Sequence, residues 1–145
     1  MFIPSNKEGL TATLTPKKAL MSEELAELAA QVLAARKAQE PVVIAVKGLC
    51  SFADYFIICS GASQRQVAAL ARHVEEALAQ VGVKPLGLEG LEESQWVLMD
   101  YHDVVIHIFI QPLREFYDLE GLWAEAPRVA LGTESAAKSP RGAAS

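Results

Sequence analysis

Apolar residues recur at two different spacings along the middle of the chain, and the wider spacing predicts two amphipathic helices. The first helix is predicted to begin at Ser22, whose hydroxyl can cap it, and to end before Pro41. The second is predicted to begin at Ser63, because Gln66 completes a capping box, and to end at Gly82. The apolar stripes that define the two helices are Leu25, Leu28, Ala29, Val32 and Leu33, and then Val67, Leu70, Ala71, Val74, Leu78 and Val81.

Short runs rich in β-branched and aromatic residues predict the strands. These runs cover residues 42–46, 54–59, 85–88, 96–99 and 104–110. The polar turn at 100–103 joins the last two runs into a hairpin, and Pro112 suits the first turn of a short final helix. Helices and strands in this order predict an α/β or α+β domain with two layers and a mixed sheet.

The length of 145 residues suits a single domain, because domains commonly contain ~100–150 residues. We expect this domain at residues 21–127. Residues 1–20 and 128–145 are predicted to be flexible tails, because they are too poor in periodic apolar residues to offset the entropy of ordering. No run approaches the ~18 apolar residues of a membrane span, and the start lacks the order of a signal peptide. We therefore expect a cytoplasmic protein that does not contact membranes.

The second half of the domain is strongly acidic. Between Glu89 and Glu125 there are nine acidic residues, and Arg114 is the only basic one. Such a segment repels phosphate, which disfavours direct binding of DNA or RNA through this half. It would attract a basic protein, although a solvated surface that only aids solubility is the simpler interpretation of composition alone.

Few residues carry the spacing of a catalytic or metal site. His102 and His107 with nearby aspartates could bind a metal, but a hydrogen-bonded sheet histidine is the better interpretation of His107. The turn at Ser60–Ser63 could hold a phosphate, with Asp54 as the nearest carboxylate, but it lacks a Walker-A lysine and an acid cluster. A metal-dependent nucleotidyl- or phosphotransferase is therefore kept only as the alternative. The residues indicate no catalytic group, no metal site and no cofactor.

A protein-binding patch is a further candidate function. On a strand, Trp96, Leu98 and Asp100 share one face, whereas Val97 and Met99 share the other. An aromatic side chain beside a carboxylate suits a contact with a basic partner. The residues alone leave two interpretations open, since Trp96 could equally be a core residue and Asp100 a turn residue.

Three motifs in order resemble the ribosomal silencing factors, also called Iojap-like proteins. The first is ADYFIICSGASQRQV at residues 53–67, the second is EG at 89–90 followed by WVLMDYHDVVIHIF at 96–109, and the third is REFYDLEGLW at 114–123. The resemblance spans about residues 22–126. It departs at the hairpin turn, where His102 stands in place of the usual glycine, a residue that tolerates positive φ more easily.

The resemblance implies a fold and a function. The fold would be α/β with a mixed five-stranded sheet and flanking helices, similar to nucleotidyltransferases but without their catalytic acids. The activity would be non-enzymatic: the family binds the large ribosomal subunit, on the basic ribosomal protein of the L-fourteen family. It thereby blocks joining of the small subunit under nutrient limitation. Family members also self-associate, so the resemblance allows a homodimer.

The implied contact surface maps onto the tryptophan-to-aspartate strand. We predict Trp96 as the anchor, Leu98 as its apolar neighbour and Asp100 as the group that pairs with a basic side chain. The predicted rim contacts are Asp103, Tyr117 and Asp118.

Overall fold

A computed structural model describes residues 21–130 of the chain. This part forms one mixed sheet with helices on both faces, which confirms the predicted mixed α/β class. None of its helices combines the length and the apolar character needed to cross a bilayer. The elements are α1 (Ser22–Ala35), β1 (Gln39–Ala45), β2 (Tyr55–Gly61), α2 (Gln64–Gln80), β3 (Gly87–Glu89), β4 (Trp96–Asp100), β5 (Val104–Ile110), α3 (Gln111–Tyr117), α4 (Leu119–Leu122) and β6 (Arg128–Val129).

The sheet has the strand order β3-β4-β5-β2-β1-β6. Only β2 and β5 run parallel, and every other neighbouring pair is antiparallel. The expected count of five strands is wrong, because β6 adds a sixth. Arg128 and Val129 pair with Ile44 and Val43, so they satisfy backbone groups along an otherwise open stretch of β1. Similarity to nucleotidyltransferases stays a prediction.

The chain therefore remains part of the fold beyond residue 127, the predicted end of the domain. Residues 128 and 129 belong to the sheet and not to a tail. The predicted N-terminal tail at 1–20 lies outside the described residues, as does the C-terminal tail from residue 131 onward.

Each face of the sheet buries its own apolar cluster. The helical face packs α1 and α2 against Ile57, Met99 and Ile106, among others. The opposite face, which we call the aromatic face, is covered in part by α3, α4 and the segment that follows. Its members are Ile44, Val46, Ala53, Phe56, Ile58, Val105, Phe109 and Ala126, with Val42, Cys50, Trp96, Leu98, Leu113, Leu119 and Trp123 partly buried around them.

The first helix differs from its prediction at both ends. Met21 and not Ser22 precedes its first turn, and the Met21 backbone N–H donates to Glu24 Oε1 at 3.0 Å. The helix ends at Ala35, well before Pro41, because the backbone at Lys37 turns into the left-handed region at φ 68°. Pro41 instead lies in β1, beside a register shift that accommodates a residue without an N–H donor.

The second helix fits its prediction closely. The Ser63 hydroxyl accepts a hydrogen bond from the Gln66 backbone N–H at 3.1 Å, which confirms the predicted cap. The final helix is instead divided in two, because Asp118 adopts a left-handed conformation with φ 48° between α3 and α4. Both short helices pack on the aromatic face, through Leu113 of α3 and Leu119 of α4.

Candidate functional site

The side of β4 that belongs to the aromatic face carries the three residues that the sequence predicted to lie together. Trp96, Leu98 and Asp100 are half-buried on the aromatic face, whereas Val97 and Met99 are fully buried on the helical face. The predicted alternation is therefore confirmed. The antiparallel register with β5 places Phe109 opposite Trp96 and His107 opposite Leu98.

Trp96 is neither sealed in the core nor free in solvent. Its ring stacks on Phe109 with 4.9 Å between the ring centroids, and Tyr117 of α3 lies 4.8 Å from it. The tryptophan is thus held by aromatic contacts while part of its surface stays accessible. The sequence left open whether Trp96 is a core residue or part of a binding patch. In the structure it contributes to packing and also forms part of the surface.

His107 holds Trp96 through a hydrogen bond. The indole Nε1–H donates to His107 Nδ1 at 3.1 Å, and His107 is only 6% exposed. The expectation of a hydrogen-bonded sheet histidine is confirmed. Burial lowers the pKa of the His107 imidazole to about 4, because the charged form would lose its hydration. The ring is therefore neutral at pH 7, which leaves Nδ1 free to accept.

The depressed pKa of His107 predicts a specific loss of stability in mild acid. Above pH 6.5 the imidazole is neutral in both the folded and the unfolded chain, and the full stability is present. As the pH falls toward 4, the unfolded chain takes up the proton first, so folding weakens. We expect a loss of about 2 kcal/mol in the free energy of unfolding between pH 7.5 and pH 5. Urea unfolding at the two pH values measures it, and an equal loss in His107→Asn would contradict the assignment.

The two carboxylate oxygens of Asp100 have different surroundings. Its Oδ1 accepts a hydrogen bond from the His102 backbone N–H at 2.8 Å, which closes the hairpin turn. Its Oδ2 accepts no hydrogen bond from residues 21–130 and keeps its charge available. His102 takes φ 79° in this turn, a conformation that glycine adopts more easily, so the turn forms despite the substitution.

The three predicted rim residues lie in two different places. Tyr117, which is 45% exposed, contacts Trp96 directly. Asp118 follows it, and its side chain accepts from the Gly121 N–H at 3.1 Å, so it also forms the start of α4. Asp103 lies in the hairpin turn beyond Asp100, at the other end of β4. The structure therefore groups Trp96 with Tyr117, and Asp100 with Asp103.

An open cleft of about 380 Å³ adjoins the Asp100 end of the aromatic face. Three carboxylates line it, those of Asp54, Asp100 and Asp103, together with the exposed apolar side chains of Phe52 and Leu86. Such a cleft combines negative charge with apolar walls. It can receive a cationic side chain that has an aliphatic stem.

Sequence patterns missed the exposed apolar rim at the Trp96 end. Phe116 is 77% exposed and contacts Tyr117 edge-on, with ring centroids 5.1 Å apart. Leu122 on α4 is 74% exposed. The adjacency of Phe116 and Tyr117 was the available signal, because two bulky neighbours on a short helix point in directions about 100° apart, which favours exposure of at least one of them. Large exposed apolar groups of this kind are typical of a protein-binding surface.

Arg114 fastens α3 to the sheet and so positions Tyr117. The guanidinium is 5% exposed and forms a two-pronged ion pair with Glu120, at 2.8 Å and 3.1 Å. It also donates to the Ser60 hydroxyl at 2.9 Å and to the backbone carbonyls of Gln39 and Glu40. The hydrogen bond from Arg114 lowers the pKa of the Glu120 carboxyl. This arrangement is structural, since every donor in it is engaged within the protein.

The alternative enzyme site does not assemble. Asp54 precedes β2 and accepts a hydrogen bond from the Ser22 hydroxyl at 3.0 Å, whereas Ser60 lies near the other end of β2. The two residues are six positions apart along an extended strand, which separates them by about 20 Å. Ser60 is also buried and bonded to Arg114, and Ser63 caps α2. The pair that the alternative required is therefore held apart.

Cys59 is completely buried in β2. Burial raises the pKa of its thiol to about 12, so the thiolate that a nucleophile requires does not form at neutral pH. Cys59 therefore packs as a small apolar residue of the core.

Comparison with known proteins gives one consistent result. Residues 19–145 match the family described as "Ribosomal silencing factor during starvation". The chain is 39% identical over 112 residues to the ribosomal silencing factor RsfS of Halalkalibacterium halodurans, a match that covers 77% of this chain and 96% of that protein. It is 33% identical to the chloroplastic protein Iojap of Arabidopsis thaliana over 77% of this chain and 44% of that protein.

A solved structure agrees with the sequence relatives. A crystal structure of a protein from Chromobacterium violaceum superimposes with a TM-score of 0.71 at 33% sequence identity. The match covers 81% of this chain and 98% of that chain. The family match spans most of the described fold, and it includes the whole of β4, the hairpin and α3. Its name describes a ribosome-associated silencer of translation, and this chain belongs to that family, the ribosomal silencing factors.

Proposed function

We propose that this protein represses translation by binding the large ribosomal subunit through the aromatic face, on the basic ribosomal protein of the L-fourteen family. The observation that carries the proposal is the half-buried Trp96 on the same strand face as the half-buried carboxylate of Asp100. The tryptophan supplies apolar contact area, and Asp100 supplies charge for a basic partner. Leu98 lies between them.

The charge distribution favours a basic protein over nucleic acid as the direct partner. The carboxylates of Asp100 and Asp103 line the cleft at one end of β4, and Asp118 lies near the Trp96 end. A phosphate backbone would be repelled along this whole edge, whereas lysine and arginine side chains would be attracted. The same argument disfavours direct DNA binding.

Repression would follow from occupied volume and would need no chemical step. A domain of this size seated on the joining face of the large subunit excludes the small subunit from the same space. The proposal places the protein in the cytoplasm, where the two subunits meet. It also predicts that silencing depends on the amount of protein relative to large subunits, and that it matters most under nutrient limitation.

A second copy of the chain is the other partner that this face could accept. The exposed side chains of Phe116, which contacts Tyr117, and of Leu122 favour self-association, because a dimer would remove them from water. Such a dimer would cover the surface proposed for the ribosome, so it would have to open before binding. Light scattering across a range of concentrations would separate a monomer from this equilibrium.

The charge of Asp100 provides the test of the proposed contact. Asp100→Asn keeps an Oδ1 acceptor for the turn to His102 and removes only the charge, so we expect about 5- to 30-fold weaker binding to large subunits. Asp100→Arg is expected to bind more weakly still, because it adds repulsion toward a basic partner. Co-sedimentation with separated large and small subunits in a sucrose gradient measures both.

Glu76→Arg provides the matched control. Glu76 is exposed on α2, on the helical side of the sheet, and its reversal changes the net charge by the same amount as Asp100→Arg. We expect this variant to retain binding within about 3-fold, because a charge outside the contact acts only through long-range steering. Equal losses of binding in Glu76→Arg and Asp100→Arg would show that binding depends on net charge alone. Binding of Asp100→Arg at the wild-type level would contradict the proposed contact.

A further inference from the structure

His107 is a buried histidine that no catalytic or metal role uses, and it contacts the proposed anchor. We propose that His107 is a positioning residue for partner binding: it turns the indole N–H of Trp96 inward, so that Trp96 offers the partner only its hydrocarbon edge. The inference rests on the proposed function, and it goes beyond it by stating which chemistry the anchor can recognise. It depends on the 3.1 Å hydrogen bond between Trp96 Nε1 and His107 Nδ1.

The direction of that hydrogen bond is fixed by chemistry. An indole nitrogen can only donate, so His107 Nδ1 must accept and the ring proton must lie on Nε2. Nε2 is buried and finds no partner among the described residues. The fold thus leaves one polar atom of His107 unsatisfied while the other holds the indole. An unsatisfied buried donor lowers stability. The hydrogen bonding of His107 itself therefore does not explain why a histidine occupies this position.

Aromatic contacts complete the arrangement. Phe109 and Tyr117 contact the Trp96 ring at 4.9 Å and 4.8 Å and limit its tilt. On the other side, Phe56 meets His107 edge-to-face at 5.4 Å, which limits movement of the imidazole. Ring contacts alone would still allow the indole to flip about its Cβ–Cγ bond, which exchanges the edge that carries Nε1 for the opposite edge. The hydrogen bond to His107 removes this freedom, because only one edge of the indole carries a donor.

A consequence for specificity follows. With its only donor engaged inside the protein, Trp96 can give the partner dispersion and apolar contact through its hydrocarbon edge. It cannot give a hydrogen bond. The partner group that fits Trp96 is therefore an apolar side chain or the aliphatic stem of a lysine or arginine, and not a carbonyl or carboxylate acceptor. Asp100, about 13 Å away along the strand, would take the charged contact.

Substitutions at both residues test the inference through binding. Trp96→Phe keeps an aromatic ring without the donor, so we expect less than about 5-fold weaker binding to purified large subunits. His107→Leu removes the acceptor and frees the indole, so we expect about 5- to 30-fold weaker binding. His107→Asn offers an oxygen near the position of Nδ1 and should restore most of the affinity. In a Trp96→Phe background, His107→Leu should cause no further loss, since no indole remains to be oriented.

A spectroscopic readout separates positioning from general stability. In a Trp123→Phe background the Trp96 indole N–H gives a single nitrogen-15 resonance, whose proton should exchange slowly with water in the wild-type pair. In His107→Leu it should exchange at least 10-fold faster. Equal binding losses from His107→Leu in both backgrounds, or an unchanged exchange rate, would overturn the inference while leaving the proposed function intact. Failure of the wild-type chain to bind large subunits would overturn both.

Discussion

Replacing Trp96 with alanine is expected to weaken binding to the large ribosomal subunit by about 30- to 1,000-fold, which corresponds to ~2–4 kcal/mol. The effect should be large because the half-buried ring contacts the exposed Tyr117 and shares its strand face with Leu98. Truncation removes the contact area and also releases Tyr117 from its packing. Binding measured by co-sedimentation at several subunit concentrations gives the ratio.

Two controls distinguish loss of the contact from unfolding and from a general effect of removing an apolar side chain. Urea unfolding of Trp96→Ala establishes how much of the protein is folded at the assay temperature, because the ring also packs on Phe109. Val81→Ala removes an apolar side chain that is 46% exposed at the end of α2, on the helical side of the sheet. That variant should bind within about 2-fold of wild type, as expected for a position outside the contact. A folded Trp96→Ala that binds as tightly as wild type would remove the anchor from the account.

Replacing Arg114 with alanine is expected to lower the free energy of unfolding by about 3–5 kcal/mol, because it breaks a buried ion pair from one side. The substitution leaves the Glu120 carboxylate, with 19% of its side chain exposed, without the cation that hydrogen-bonds it. It also leaves the Ser60 hydroxyl and two backbone carbonyls of β1 without their donor. Since a small domain has only ~5–15 kcal/mol of stability in total, much of the protein would unfold near 37 °C.

Comparison with Arg114→Lys refines this prediction. Lysine keeps the charge but cannot match the two-pronged contact with Glu120, so it should recover only part of the loss. The depressed pKa of Glu120 adds a pH test with a defined sign. Its contribution to stability is present above its unfolded pKa and disappears as the pH falls through the lower folded value. Urea unfolding at pH 7 that finds a loss below about 1 kcal/mol for Arg114→Ala would contradict the structural role given to this residue.

The features that depend on local order could be predicted from the sequence. The α2 cap at Ser63 follows from residues within one turn, and the alternation along β4 follows from the twofold period of a strand. The pairing of β4 with β5 could also be predicted, because a short turn at 100–103 fixes which residues of the two strands lie opposite each other. Trp96 and Asp100 were placed on the correct face for these reasons.

The features that depend on distant contacts could not be predicted in this way. The two residues of β6 form a strand only because they meet the open edge of β1, and nothing in their own pattern marks them. The division between α3 and α4 at Asp118 reflects the surface they cover and not a glycine or proline signal. The hydrogen bond between Trp96 and His107 needed the register and the side-chain directions together. Tertiary packing decided each of these.

The joining of ribosomal subunits gives the most direct test of the central claim. Large subunits are incubated with an excess of this protein, small subunits are then added, and light scattering follows formation of the joined particle. We predict that the wild-type chain lowers the joined fraction in proportion to the occupied large subunits, and that Trp96→Ala and Asp100→Arg leave joining nearly unchanged. Full joining in the presence of bound wild-type protein would contradict the account.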